Sequence, residues 1–246
     1  MIWITGDTHG SFAWLERFCR EKNTTAEDVM IILGDAGINY FGPAEDDVLK
    51  RMLARLPITL LCIHGNHEMR PEHLYTYELI PWRGGQVWRE ALFPTLLFAR
   101  DGEVFDLDGV QTLVIGGAYS VDKLRRVARG HGWWKDEQPD EVIRARTEAA
   151  LEVRGWAVDA VLSHTSPLRY EPVDAFLSGV DQSRVDKSTE IWLDAIESRL
   201  SYRRWFCGHF HTDRALSPGD GRRVIFMMHN VLPWPGEGEA WNRLGG

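Results

Sequence analysis

Residues 59–69 of the sequence read TLLCIHGNHEM, and the chain changes character within this short stretch. The first five residues, 59–63, are mostly apolar and follow Pro57, a pattern that predicts a buried β-strand. The next five, HGNHE, include four side chains that can bind a metal ion or transfer a proton. We therefore expect a strand that ends in polar chemistry, and we ask whether other strands end in the same way.

Around this stretch the sequence alternates between predicted strands and helices. A strand at 1–5, a helix at 11–22 with Ser11 as its cap, a strand at 29–35 and a helix at 43–56 precede it. This order is typical of βαβ units and a largely parallel sheet. Three strand-like runs at 96–117, separated by Asp-Gly pairs, predict a meander of antiparallel hairpins. Two more strands begin at 157 and 203, another spans 222–230, and a helix is predicted at 188–200. No linker divides the chain, so we expect one domain, 1–246, with a polar, helical insertion at about 119–157.

Four other apolar runs also end in metal-competent side chains. The five runs and the residues at their ends are IWIT before Asp7 and His9, VMIIL before Asp35, TLLCI before Asn66 and His67, AVLS before His164, and RWFC before His209 and His211. Glycine stands beside most of these residues, and it allows sharp turns and close approach of the backbone. Ligands of α/β sheets bind at the carboxyl ends of the strands, so we expect these ends to converge on one crevice.

The side chains at these ends suit transition metals with nitrogen and oxygen ligands. Histidine, aspartate and asparagine without thiolate favour Mn²⁺, Fe, Zn²⁺ or Ni²⁺ over Ca²⁺ or an iron–sulfur cluster. Seven such residues, leaving His67 aside, are too many for one tetrahedral ion but fit two ions that share a carboxylate. Two metals about 3.5–4 Å apart can hold the attacking and leaving oxygens of a phosphoryl transfer.

In order, the blocks D-x-H, GD, GNH[DE], H and GHxH span positions 7–211, and together they resemble the calcineurin-like metallophosphoesterases. The resemblance implies an α/β fold with a sandwich of two mixed β-sheets flanked by helices, in four layers (αββα). It implies that Asp7, His9 and His211 hold one ion, that Asn66, His164 and His209 hold the other, and that Asp35 bridges both. It also implies hydrolysis of phosphate mono- or diesters of a small molecule or nucleotide, by in-line attack of a metal-bridging hydroxide. Mn²⁺ is the favoured ion, and His67 would assist the leaving group.

The sequence departs from the protein phosphatase branch of this family after the GD block. That branch continues with valine, aspartate, arginine and glycine, whereas this chain reads GDAGINYFG and has no arginine there. A protein Ser/Thr phosphatase is therefore disfavoured, and the residue that orients His67 is open, with Asn39 as a candidate. Glu68 either orients a ligand or is an acid at a helix start. A nuclease and a non-catalytic metal-binding scaffold are further alternatives, although His67 favours catalysis.

A basic and aromatic stretch, YSVDKLRRVARGHGWW, occupies residues 119–134. Its Lys123, Arg125 and Arg126 are candidates for binding substrate, because cations beside tryptophans can hold a phosphate and a nucleobase, or single-stranded nucleic acid. The alternative is an amphipathic surface helix whose tryptophans pack on the body of the protein. Both interpretations are open at this point.

The bulk composition restricts the partners. Hydrophobic residues make up 44% of the chain and charged residues 26%, and the formal net charge is −8. The acidic total disfavours nucleic acid as a partner without excluding it. The three cysteines predict buried, reduced thiols. No apolar run reaches the roughly 20 residues needed to cross a bilayer, and no leader is visible. We therefore expect a soluble cytoplasmic protein with no membrane partner, and the sequence carries no indication of its oligomeric state.

Overall fold

The structure, a computed structural model, describes residues 1–234. The strands of this part of the chain are β1 Ile2–Thr5, β2 Val29–Ile32, β3 Thr59–Cys62, β4 Tyr77–Trp82, β5 Gly85–Glu90, β6 Leu96–Ala99, β7 Val104–Leu107, β8 Val110–Ile115, β9 Ala160–Ser163, β10 Arg204–Cys207, β11 Arg214–Gly219, β12 Arg222–Phe226 and β13 Leu232–Pro233. The α-helices are α1 Ala13–Lys22, α2 Pro43–Leu53, α3 Lys123–Ala128, α4 Glu141–Val153 and α5 Ser188–Glu197. Short 3₁₀ turns lie at Pro71–His73, Leu168–Tyr170, Val173–Ala175 and Gln182–Arg184.

The strands form two mixed sheets. The first sheet has the order β13-β1-β2-β3-β6-β5-β4 and the second β11-β12-β10-β9-β8-β7. Each has a parallel centre, β1-β2-β3-β6 in the first and β8-β9-β10-β12 in the second, with antiparallel strands at the edges. Parallel strands place their carboxyl ends at one edge of a sheet, and this gives each sheet an edge at which side chains can gather.

The sheets pack face to face, with helices outside. Side chains such as Ile4, Ile31, Phe105, Leu162 and Phe206 form one buried cluster between the two sheets. A second cluster joins the outer face of the first sheet to α1 and α2, and a third joins the second sheet to α4 and α5. These layers confirm the predicted sandwich of two mixed sheets flanked by helices. Among residues 1–234, no helix has the length and apolar character to cross a membrane.

The structure corrects three local predictions. Helix α1 begins at Ala13 after Phe12, without a side-chain cap, so Ser11 is not the cap residue. The stretch 96–117 is not a single meander, because β6 belongs to the first sheet and β7 and β8 to the second. The turn at 101–102 therefore crosses between the sheets, and only the turn at 108–109 closes a hairpin. The hairpin of β4 and β5 was not predicted at all.

The segment 119–157 contains α3 and α4. Twelve residues without regular helix, 129–140, connect them. Helix α4 packs on the second sheet through Leu151 and is capped by Asp140, whose carboxylate accepts a hydrogen bond from the Ile143 N–H. The three cysteines are buried and unpaired, as predicted.

Candidate metal centre

The carboxyl ends of five parallel strands meet at one edge of the sandwich. Strands β1, β2 and β3 of the first sheet end there, as do β9 and β10 of the second. The two sheets come very close at this edge, since a Cβ built on Gly6 would lie 2.1 Å from the carbonyl oxygen of Met227. Residues that are far apart in the chain are thus brought within side-chain reach of one another.

Asp7, His9 and His211 form one group of donors. The Oδ2 atom of Asp7 lies 3.4 Å from Nε2 of His211 and 3.9 Å from Nε2 of His9. The two Nε2 atoms are 3.0 Å apart. One ligand atom from each residue lies within 4.8 Å of the others, a spacing compatible with a shared ion. The Asp7 carboxylate also accepts the backbone N–H of His209, at 3.0 and 3.1 Å, which ties β1 to the loop after β10.

Asp35 lies between the donors of the two sheets. Its Oδ1 atom accepts the His67 N–H at 2.8 Å and lies 3.6 Å from Nε2 of His164. Its Oδ2 atom lies 4.0 Å from Nδ1 of His9. Metal-competent atoms of Asp35 lie within 4.8 Å of those of His9 and His67, and also of those of Asp7 and His164. Asp35 therefore lies close to donors from both sheets.

Asn66, His164 and His209 are the remaining predicted donors, and of the two histidines only His164 belongs to a close group of ligand atoms with Asp35 among the described residues. Nδ1 of His164 is 2.8 Å from the Leu33 carbonyl oxygen, which can only accept, so Nδ1 carries a proton. Nε2 of His164 lies 2.9 Å from Oδ1 of Asn66, while the Asn66 amide donates to Ser120 Oγ at 2.9 Å. Either a proton on Nε2 or a cation bound by both atoms stabilises this contact. The ring of His209 is 5.0 Å from that of His164.

Four of these donors have a backbone conformation that L-residues rarely adopt. The φ angle is 46° at His9, 46° at Asp35, 63° at His209 and 50° at His211. Such conformations cost on the order of 1–3 kcal/mol each and persist only where the surrounding structure holds them. Their concentration at the strand ends indicates a functional site.

Three glycines allow the donors to approach the backbone. A Cβ on Gly34 would lie 2.1 Å from Nδ1 of His164, and one on Gly208 would lie 2.2 Å from Oδ1 of Asp7. At Gly65 it would lie 2.1 Å from both the nitrogen and Oδ1 of Asp35. A side chain at any of these positions would occupy the space of a donor, so the glycines of the predicted blocks have a steric role.

Burial and neighbouring charges prepare the donors for a cation. Burial alone would raise the pKa of Asp35, but the adjacent His164, His67 and His9 lower it to about 2, so the carboxylate stays ionised. Burial lowers the pKa of His209 far below its usual value, which keeps the imidazole neutral. His211 differs, because its hydrogen bond with Asp7 raises its pKa and favours the protonated imidazole, so a metal ion would have to displace that proton. Ionised carboxylates and neutral imidazoles are the forms that bind metals.

Glu68 supports the turn that carries Asn66 and His67. Its side chain is fully buried, and its Oε1 atom accepts the Gly65 N–H at 2.9 Å. Burial raises the pKa of Glu68 well above its usual value. No helix begins at this point of the described chain, so the interpretation as a helix-start acid is wrong.

His67 lies beside the donors at the edge of a cavity. Its ring is 5.4 Å from that of His9 and stacks on Tyr40 at 6.0 Å. The carboxylate near its Nε2 atom is that of Asp122, whose Oδ1 lies at 3.5 Å. The candidate orienter Asn39 instead exchanges hydrogen bonds with the Tyr77 hydroxyl, at 3.0 and 3.2 Å. The side chain next to Nε2 of His67 is thus that of Asp122, which no local sequence pattern indicates, and not that of the candidate Asn39.

The three cations of the basic stretch have different surroundings. Arg126 is buried, and its guanidinium donates to the Asn66 carbonyl at 3.2 Å and to Ser120 Oγ at 3.0 Å. Lys123 lies over the ring of Trp133 at 3.7 Å. Arg125 is exposed and lines the cavity. A role of these residues in substrate binding stays a prediction, and the contacts of Arg126 also support the loop of Asn66.

The cavity beside the donors has a volume of about 420 Å³. On one side it is lined by Asp35, Asn66, His67 and His209. Its other wall comes from residues 171–190, which carry no functional signal in the sequence, and it includes the buried carboxyl of Glu190. The cavity therefore has the candidate metal centre on one side and the segment 171–190 on the other.

We expect Gly34→Ala to weaken metal binding. The new methyl group would occupy the space of Nδ1 of His164 and displace that ring, while φ of 95° adds strain. Gly219→Ala is the matched control, because φ there is 109° and nothing lies within 4 Å of its Cβ. Titration of metal-free protein with Mn²⁺ should give a weaker affinity for Gly34→Ala alone. Equal affinities of the two variants would contradict this account of the site.

We expect Glu190 to make the protein less stable as pH rises. Burial raises the pKa of Glu190 from 4.5 to about 7, with Glu171 adding to the rise and Thr165 and Lys187 opposing it. Between these values the folded carboxyl keeps a proton that the unfolded one loses, so the free energy of unfolding falls with pH. The glutamine of Glu190→Gln cannot bind or release this proton, so the variant lacks this contribution to the pH dependence of its stability.

In urea unfolding of metal-free protein, Glu190→Gln should therefore gain stability relative to the parent between pH 5 and pH 8, by on the order of 3 kcal/mol. Glu27→Gln serves as the control, because Glu27 is exposed at the opposite edge of the first sheet. A constant difference between Glu190→Gln and the parent across this range would show that Glu190 ionises normally.

Comparison with known proteins agrees with this fold. The chain is similar in structure to the protein TT1561 of Thermus thermophilus, with a TM-score of 0.52 and 15% identity over 92% of this chain and 87% of that one. It is also similar to the phosphopantetheinyl hydrolase of Mycobacterium tuberculosis, with a TM-score of 0.52 and 16% identity over 92% and 89% of the two chains. At these identities the likeness concerns the fold alone.

A search of curated proteins found no significant match. Residues 1–213, however, match the family described as calcineurin-like phosphoesterase. This match covers most of the 246 residues and includes all five strand ends that carry the donors. The chain belongs to the calcineurin-like phosphoesterase family.

Proposed function

We propose that this protein uses two divalent metal ions to hydrolyse phosphate mono- or diesters of a small molecule. One observation carries the proposal. Nitrogen and oxygen donors from the ends of five strands in two sheets gather around the ionised carboxylate of Asp35. A structural role alone would not require so many donors with strained backbone at one edge of the sandwich.

The donors fit a pair of ions. Asp7, His9 and His211 would hold one ion, Asn66, His164 and His209 would hold the other, and Asp35 would contact both. The distance of 2.9 Å between Oδ1 of Asn66 and Nε2 of His164 is compatible with a cation bound by both atoms. When bound, such ions lower the pKa of water and neutralise charge on phosphoryl oxygens. The mixed nitrogen and oxygen ligands favour Mn²⁺, with Fe, Zn²⁺ and Ni²⁺ as alternatives.

His67 would donate a proton to the leaving oxygen. Its backbone N–H donates a hydrogen bond to the Asp35 carboxylate, and this bond fixes the position of His67 relative to the donors. The stacked Tyr40 restricts its ring. Burial lowers the pKa of His67, and the carboxylates of Asp35 and Asp122 oppose this shift and favour the protonated imidazole. The half-buried ring faces the cavity, where the leaving group would lie.

The cavity supports a small substrate over a phosphoprotein or a nucleic acid. A volume of about 420 Å³ lies in the range of small-molecule sites, which are typically about 300–1,000 Å³. The net charge of −8 also disfavours a nucleic acid, and the absence of an arginine after the GD block disfavours a phosphoprotein. One protein of similar fold is named a phosphopantetheinyl hydrolase, and that name is compatible with a small organic phosphoester.

The direct test is hydrolysis with and without metal. Protein purified without chelator would be analysed for metal content and assayed on p-nitrophenyl phosphate and on its bis-ester. We expect hydrolysis that is lost on removal of metal and restored by Mn²⁺. Absence of turnover of both esters with Mn²⁺, Fe²⁺, Zn²⁺ and Ni²⁺ would refute the proposal and favour a non-catalytic scaffold.

The role of His67 can be tested separately from metal binding. We expect His67→Gln to lower kcat about 10²- to 10⁴-fold, the usual contribution of a general acid, and to leave the metal content unchanged. His73→Gln is the control, because His73 is an exposed histidine paired with Asp136. If His67→Gln keeps full kcat with bound metal, another group protonates the leaving oxygen.

A further inference from the structure

The wall of the cavity that faces the donors is largely apolar. It is formed by the segment between β9 and α5, and Phe176, Leu177, Val180 and Val185 line it. Leu177 is 65% exposed, which is unusual for a leucine beside a polar site. An apolar surface in an open cleft beside a polar site is characteristic of ligand-binding grooves.

This wall is held in place by contacts with the second sheet. The ring of Phe176 stacks on Phe210 at 6.1 Å, and Phe210 packs against Phe226 of β12 at 5.8 Å. The ammonium of Lys187 lies 5.1 Å from the centre of the Phe176 ring and 2.7 Å from the Glu171 carboxylate. Phe210 is also the neighbour of His209 and His211, so the wall has a defined position relative to the donors.

A buried carboxyl group stands in the same wall without a full set of partners. Glu190 is 4% exposed, and its Oε1 atom accepts a hydrogen bond from Thr165 at 2.8 Å. Its Oε2 atom is buried and has no hydrogen-bond partner among the described residues. Leaving such a buried atom unpaired is unfavourable. A ligand group that donates a hydrogen bond inside the cavity would remove this cost.

The cavity offers little positive charge away from the donors. Of its carboxyl groups, Glu171 is paired with Lys187, Asp122 lies beside His67, and burial raises the pKa of Glu190 to about 7. Among the described lining residues Arg125 is the single Lys or Arg side chain. A second phosphate on the substrate would therefore lose its hydration against an apolar wall with little compensating charge. An apolar body with a hydrogen-bond donor, neutral or cationic, would meet complementary groups.

We propose that this cavity binds the organic part of the substrate, and that the substrate is a monophosphate ester of an apolar alcohol that carries a hydrogen-bond donor. Phe176, Leu177 and Val180 contact the apolar body, and Glu190 accepts the hydrogen bond. The cavity selects against nucleoside polyphosphates and other esters with a second phosphate. This inference rests on the proposed function and specifies the substrate class of the same site.

The experiment compares four alkyl phosphates on the metal-loaded full chain. They are methyl phosphate, hexyl phosphate, 6-aminohexyl phosphate and hexane-1,6-diyl bisphosphate. We expect kcat/KM for hexyl phosphate to exceed that for methyl phosphate at least tenfold, because apolar contacts discriminate by about 10- to 200-fold. We expect kcat/KM for 6-aminohexyl phosphate to exceed that for hexyl phosphate about tenfold, because Glu190 accepts its hydrogen bond, and the bisphosphate to be the poorest of the three hexyl compounds.

Variants of the apolar wall residues and of Glu190 test whether the wall causes these preferences. Leu177→Ala should reduce the ratio of hexyl to methyl phosphate several-fold, and Val173→Ala, equally exposed on the same segment but outside the cavity, should not. Phe176→Ala should act like Leu177→Ala where it folds. Glu190→Ala should remove the advantage of the amino group by about tenfold, and Glu27→Ala should leave it unchanged.

Calorimetric binding of hexylphosphonate and methylphosphonate separates this inference from the proposed function. Turnover of all four esters at equal kcat/KM, or a preference for the bisphosphate, would overturn the inference while the phosphoesterase stands. Absence of all turnover would overturn the proposed function. In that case, tighter binding of hexylphosphonate, reduced in Leu177→Ala, would still support the cavity, and equal binding of both phosphonates would overturn it.

Discussion

The hydrogen bond from the His67 N–H to Oδ1 of Asp35 joins the loops that follow β2 and β3. The Asp35 carbonyl oxygen also accepts the N–H of His9 at 2.7 Å, so the loop after β1 is attached to the same residue. Asp35 is 2% exposed and stays ionised because of the histidines around it. A buried carboxylate needs such partners, since an unpaired charge in the interior is costly. The positions of three loops thus depend on one residue.

The frame around Asp35 has to be rigid, because the loops it joins are strained. Positive φ angles at four donors would relax toward ordinary conformations in a loop that could move. The parallel centres of the two sheets prevent this, as each donor follows directly after a fully buried strand. Arg126 and Glu68 add support from the side, through the Asn66 carbonyl and the Gly65 N–H. The packing energy of the core therefore maintains the geometry of the site.

The two sides of the cavity are built differently. The donors follow strands of the central sheets, whereas the opposite wall is an irregular segment with 3₁₀ turns, attached through the pair of Phe176 and Phe210. Catalytic groups need precise positions, which strands provide, and a surface that selects a substrate can be varied on a connecting segment. Under the proposed function, the chemistry and the choice of substrate would depend on separate parts of the chain.

The sequence alone determined the type of fold and the set of candidate donors. Each donor follows an apolar strand within a few residues, and such local patterns are readable because strand period and glycine placement act over short distances. Other features depend on contacts between distant residues, and no local pattern encodes them. The hairpin of β4 and β5 was missed, and β6 and β7 were assigned to one meander although they lie in different sheets. Only the tertiary structure decided that Asp122, and not Asn39, approaches His67, and that Arg126 points inward to Asn66. It alone brought Glu190 to the cavity wall, because sheet packing, and not sequence proximity, sets which side chains meet there.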